Sequence, residues 1–82
     1  MTTTLYLGNL SPDTTEDDLR AVFGHFGAVL RSHVDTDRLT GLSRGRGCVE
    51  MATGATRAAQ VLYGIPLHGR PLRVSAIPPA GP

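Results

Sequence analysis

The fold is decided by the stretch Leu5-Tyr6-Leu7-Gly8-Asn9-Leu10, close to the start of the chain. Side chains alternate across a strand, so Leu5 and Leu7 can enter a core while Tyr6 points to the other side. Gly8-Asn9 ends the strand, and Ser11-Pro12-Asp13 carries the chain into a turn. We therefore expect one aromatic ring on an open sheet face, where it either packs on its neighbours or stacks against a nucleobase.

The length and composition bound the class of protein. With 82 residues, 40% hydrophobic and 18% charged, the chain predicts one domain over residues 1–77 and a short Pro-rich tail over 78–82. No apolar run could cross a bilayer and none resembles a signal peptide, so we expect a cytoplasmic protein without a membrane partner. Cys48 is the only cysteine and the three histidines are scattered, so no disulfide within the chain, metal site or cofactor is expected.

The spacing of apolar residues predicts a β-α-β-β-α-β order. The strands are expected at Thr3 to Asn9, Val29 to Asp35, Arg44 to Met51, and around Leu72 to Ser75. Thr14 or Thr15 can cap a first helix whose opening turn is acidic, and the second helix carries Ala55, Ala58, Ala59 and Leu62 at helical spacing. The stretch from Asp37 to Ser43 is predicted to be an exposed loop, and the one from Leu67 to Pro71 a turn.

Two motifs in register resemble those of the RNA recognition motif family. The opening hexapeptide is similar to its second ribonucleoprotein motif. The family's first ribonucleoprotein motif has the pattern K/R-G-F/Y-G/A-F/Y-V-x-F/Y. In this chain its place is taken by Arg44-Gly45-Arg46-Gly47-Cys48-Val49-Glu50-Met51. The resemblance runs from about Thr3 to Ile77 and is strongest for the small single-domain RNA-binding proteins of bacteria. It implies an α+β, ferredoxin-like fold, with a four-stranded antiparallel sheet and two helices on one face.

The octamer departs from the family pattern at the two positions where aromatic rings are usual. By strand parity Val49 and Met51 face the core, whereas Arg46 and Cys48 occupy the outward positions of the missing rings. Of three stacking aromatics only Tyr6 remains. Because stacking contributes roughly 1–3 kcal/mol per base, the two losses weaken binding by about 2–6 kcal/mol, part of which Arg46 can recover.

The expected RNA-binding residues lie on the open face and its rim: Tyr6, Arg31, His33, Arg38, Arg44, Arg46, Cys48 and Arg73. All eight basic residues are arginines, whose guanidinium groups bind phosphate in a bidentate manner and stack on bases. The acids of the first helix lie on the opposite side, so a chain of net charge +1 is expected to be polarised. We assign Phe23, Phe26 and Tyr63 to the core or to packing at helix ends.

These features suggest three classes of function, of which the first agrees with them best and the third least. The first is a monomer that binds single-stranded RNA, or single-stranded DNA, with low to moderate affinity. The second is a protein-interaction module on the same fold, in which loss of two outward aromatics has weakened RNA binding. An enzyme is not expected, because no nucleophile–base pair, paired carboxylates or phosphate-cradling loop is visible.

Overall fold

The computed structural model describes residues 2–77, so the predicted Pro-rich tail over 78–82 lies outside the described residues. The elements are β1 (Thr3–Gly8), α1 (Glu16–Phe23), β2 (Val29–Thr36), β3 (Ser43–Met51), α2 (Ala55–Leu62), β4 (Pro66–Leu67), β5 (Arg70–Pro71) and β6 (Arg73–Ser75). Within this range no helix is long and apolar enough to span a membrane.

The predicted four-stranded antiparallel sheet is confirmed, with the order β2-β3-β1-β6. Helix α1 packs against β2 and β3, and α2 packs against β1 and β6. The apolar residues of both helices share one buried cluster with the inward residues of the strands. Both helices therefore cover the same face of the sheet, and no helix of residues 2–77 covers the other, which we call the open face.

Strand parity follows the sequence pattern. Leu5 and Leu7 are 1% and 4% exposed, and Val49 and Met51 are fully buried. Leu5 stands opposite Val49 in the β1–β3 register, so the two central strands deliver their apolar side chains to the same layer. The intervening positions of both strands consequently face away from the helices.

The ends of the elements differ slightly from the prediction. β1 stops at Gly8, because Asn9 takes the left-handed conformation with φ of 57° and its amide Nδ2 donates to the Pro71 carbonyl at 2.8 Å. Thr15, not Thr14, caps α1 through a reciprocal pair of bonds with Asp18. β2 runs one residue further than expected, β3 begins one residue earlier, and the last strand starts at Arg73.

The segment predicted to be a turn forms a small hairpin, β4–β5, docked on the start of α1. His68 and Gly69 both have positive φ, as a type I′ hairpin turn requires. His68 Nε2 lies 2.9 Å from Asp18 Oδ2. The pKa of Asp18 is lowered below its usual 3.8, mainly by the hydrogen bond from the Thr15 backbone N–H and next by that of the His68 ring. The carboxylate is therefore charged at neutral pH while it binds both groups.

Gly47 lets β2 and β3 pair where a side chain would separate them. A Cβ at this position would lie 2.3 Å from the carbonyl oxygen of His33, a backbone atom that cannot move aside alone. Gly8, in β1, is different, because a Cβ there would meet only the Arg73 Cβ at the ordinary distance of 3.7 Å. The sheet therefore requires glycine at one of these strand positions and tolerates a methyl group at the other.

We expect Gly47→Ala to lower the free energy of unfolding by about 1–3 kcal/mol or more, as overpacking does. Gly8→Ala, the matched control, should change it by no more than about 0.5 kcal/mol. Urea unfolding of the two variants and the wild type measures both values. Equal stability of the two variants would show that the close approach at Gly47 does not limit the sheet.

Candidate nucleic-acid interface

Tyr6 lies in the middle of the open face. The β1 register sets it opposite Cys48 of β3 on one side and Ser75 of β6 on the other, and His33 of β2 stands beyond Cys48. The Tyr6 side chain is half-buried, so its neighbours fix the ring and leave part of it open to a ligand. A ring held in this way loses little rotamer freedom when a flat group stacks on it.

A groove of about 530 Å³ runs beside Tyr6 towards the β6 edge of the sheet. It brings together three of the predicted site residues, Tyr6, Arg46 and Arg73. Gly8 stands opposite Arg73 in the register and contributes no side chain to the floor of the groove. The three predicted residues thus place the Tyr6 ring and two guanidinium groups around one depression.

The arginines differ in whether an acid already neutralises them. Among residues 2–77, no carboxylate lies within ion-pair distance of Arg46 or Arg73. By contrast, the Arg44 Nη2 lies 3.6 Å from Asp37 Oδ2. The backbone N–H groups of Leu39 and Thr40 lower the pKa of Asp37, with a smaller contribution from Arg44, so Asp37 is ionised at neutral pH. Of the predicted site arginines only Arg44 has an ion-pair partner among the described residues, and Arg46 and Arg73 are the unpaired ones that also line the groove.

The remaining predicted residues lie outside the groove. Arg31 stands opposite Glu50 near the β2 edge, and Arg38 is exposed in the β2–β3 loop. His33 Nδ1 lies 3.3 Å from Glu16 Oε2, an oxygen that also accepts from the Val34 N–H. The structure thus turns His33 towards the edge of the sheet, and Cys48 is a half-buried neighbour of Tyr6.

The placement of Tyr63 corrects the sequence prediction. Phe23 is fully buried and Phe26 packs against the core, as expected, but Tyr63 is 58% exposed and lines the groove with Tyr6. Ile77, 75% exposed, lines it as well. The only sequence signal was the glycine that follows Tyr63, because Gly64 permits a backbone turn that takes the ring off the helix.

This fold and site define the class of protein. The model of the RNA recognition motif matches residues 5–73, and the chain belongs to that family. "Putative RNA-binding protein RbpB" of Nostoc sp. is 46% identical over 77 residues, which cover 92% of this chain and 75% of the relative. "Glycine-rich RNA-binding protein 2, mitochondrial" of Arabidopsis thaliana is 43% identical over 92% of this chain and 49% of its own length.

Solved structures agree with the family assignment. RNA-binding protein PG1 superposes with a TM-score of 0.86 at 41% identity, over 89% of this chain and 90% of that one. The Sxl-lethal protein in its complex with RNA superposes with a TM-score of 0.86 at 31% identity, over 99% of this chain and 50% of that one. The β-α-β-β-α-β fold predicted from the sequence is therefore confirmed.

Proposed function

We propose that the protein binds single-stranded RNA on the open face of its sheet. The observation that carries the proposal is the groove in which the half-buried Tyr6 ring lies beside two arginines that no described carboxylate neutralises. Single-stranded nucleic acid needs both features, because bases stack on aromatic rings while the backbone follows positive charge. Both relatives described above are also named as RNA-binding proteins.

In this proposal Tyr6 stacks on one base, and Cys48 gives that base an apolar contact on the β3 side. Arg46 covers a second base or binds its phosphate, since a guanidinium plane can do either. Arg73 binds phosphate at the β6 side of the groove. Arg44 takes a phosphate when it leaves Asp37, and Arg31, His33 and Arg38 extend the positive rim along β2 and its loop.

The affinity we propose is low to moderate, because arginine and cysteine stand where the family has two stacking rings. No feature of the groove singles out a 2′-hydroxyl, so single-stranded DNA is proposed as a weaker or equal ligand. The proposed activity is binding, carried out by a monomer. A protein partner on the same face is the outcome to consider if RNA does not bind.

Replacement of Tyr6 by alanine should weaken binding by about 1–3 kcal/mol, because the variant loses one stacked base. An amide NMR titration with a randomised RNA of eight nucleotides measures the affinity and maps the surface. In the wild type the shifts should concentrate in β1, β3 and β6. Tyr6→Phe keeps the ring and should bind within about twofold of the wild type.

The titration can also contradict the proposal. If the amides of the open face do not move at low salt, the face does not bind RNA, and the search should turn to protein partners. If Tyr6→Ala binds as well as the wild type, the ring does not stack.

The affinity should fall steeply with salt, because bound arginines release counterions from the RNA. With about three to five phosphates neutralised, the plot of log affinity against log salt has an expected slope of roughly −2 to −3.5. Fluorescence anisotropy of a labelled eight-nucleotide RNA between low and physiological salt gives this slope. A slope near zero would contradict the role of the arginines.

Replacement of Asp37 by asparagine should tighten RNA binding by about two- to fivefold at low salt. Arg44 would then have no ion pair to give up on binding phosphate, and the gain is small because exposed ion pairs are weak. Asparagine keeps an oxygen that can accept from Leu39 and Thr40, as Asp37 Oδ1 does at 2.8 and 3.1 Å, so the loop should persist.

The matched control is Asp17→Asn, which changes the net charge equally but lies in α1, on the covered side of the sheet. Anisotropy titrations of both variants separate a local effect from a general one. If Asp17→Asn tightens binding as much as Asp37→Asn, the Asp37–Arg44 pair does not compete with RNA.

A further inference from the structure

The groove has a second aromatic wall that the family motifs do not include. Tyr63 follows α2 directly, at the point where a helix that packs on the core ends. Although Leu62 beside it is 6% exposed, Tyr63 is 58% exposed and lines the same groove as Tyr6, Arg46 and Arg73. The backbone that follows α2 holds this exposed ring beside the groove.

A bulge at Gly64 places Tyr63 beside the sheet. Gly64 has a φ of +83°, its N–H donates to the Leu72 carbonyl at 2.7 Å, and the Leu72 N–H donates to the Ile65 carbonyl at 2.9 Å. Two residues thus oppose one, with glycine in the left-handed conformation, which is the pattern of a G1 bulge. The segment from Tyr63 to Ile65 therefore runs antiparallel along the start of β6.

The direction of the Tyr63 side chain follows from this pairing. The residue before the bulge, Tyr63, stands opposite the residue after Leu72, which is Arg73. Tyr63 itself is extended, with φ of −61° and ψ of 122°. Residues opposite each other in an antiparallel pair point to the same face of the sheet. Arg73 stands opposite Gly8, and Gly8 lies two residues from Tyr6 in β1, so Arg73 shares the face of Tyr6. Tyr63 thus lies on the open face, at its outer edge.

The chemistry of this edge suits a base attached to a phosphate. Flat or apolar surface is offered by the rings of Tyr63 and Tyr6 and by the side chain of Ile77. Arg73 supplies a positive charge in the same groove. Pockets that hold small ligands have volumes of roughly 300–1,000 Å³. The 530 Å³ groove falls within that range, so it has room for more than the base stacked on Tyr6.

We propose that Tyr63 is a second stacking platform, which holds a neighbouring base of the same RNA strand at the β6 edge of the groove while Arg73 binds a phosphate beside it. The inference rests on the proposed function. In this arrangement Tyr63 replaces, at a different position, part of the stacking surface lost at Arg46 and Cys48. The bound strand crosses the sheet from β1 towards β6 and continues past the last strand to the bulge.

The two tyrosines of the chain make the test direct, because 3-fluorotyrosine labelling gives one ¹⁹F resonance for Tyr6 and one for Tyr63. Tyr6→Phe and Tyr63→Phe assign the two signals. On addition of a randomised eight-nucleotide RNA at low salt, both resonances should shift. Tyr63→Ala should weaken binding about 5- to 150-fold, as loss of one stacked base does, whereas Tyr63→Phe should stay within about twofold.

The control for Tyr63→Ala is Val61→Ala, which removes a 45% exposed apolar side chain of α2 that does not line the groove. It should leave the affinity unchanged. Thermal unfolding of each variant, followed by circular dichroism, confirms that the fold persists, and Tyr63→Phe reports on the ring even if the alanine variant is unstable.

Each outcome decides a separate point. If the Tyr6 resonance shifts and that of Tyr63 does not, RNA binds the face and the second platform is wrong. If neither resonance responds, the proposed function itself fails. A Tyr63→Phe variant as weak as Tyr63→Ala would assign the contact to the hydroxyl group and overturn stacking.

Discussion

The register between β1 and β3 is the constraint on which the open face depends. Leu5 opposite Val49 and Leu7 opposite Gly47 direct one set of side chains to the helices, and the same pairing sets Tyr6 beside Cys48. A slip of one residue would exchange the two faces and bury the polar set. The apolar residues at alternate positions of both strands exclude that slip, so the packing of the core also determines the binding surface.

Much of the fold could be predicted from local patterns. The alternation of Leu5, Tyr6 and Leu7 predicted the face of each side chain, and the parity of Val49 and Met51 predicted the buried side of β3. Arg46 and Arg73 were expected on the same face as Tyr6 because of the alternation of side chains along their strands. These predictions succeeded because each depended on a period of two within one strand.

The remaining features depend on contacts between distant segments. Tyr63 was assigned to helix-end packing because its direction is set by hydrogen bonds between Gly64, Ile65 and Leu72, which no local period reveals. In the same way, the Glu16 carboxylate holds His33 at the edge, and Asp37 holds Arg44 at the loop. The sequence located the arginines, but only the structure distinguishes Arg44, which is paired with an acid, from the two arginines in the groove.

The bulge at Gly64 has a further consequence, for association between chains. An open sheet edge presents free N–H and C=O groups to which a strand of another molecule can add. Here Gly64 and Ile65 bond to the N–H and C=O groups of Leu72, the residue just before β6, and on the opposite side Glu16 accepts from the Val34 N–H of β2. At these points both margins of the sheet are closed to strand addition by the chain itself, whereas no helix or strand of residues 2–77 covers the open face.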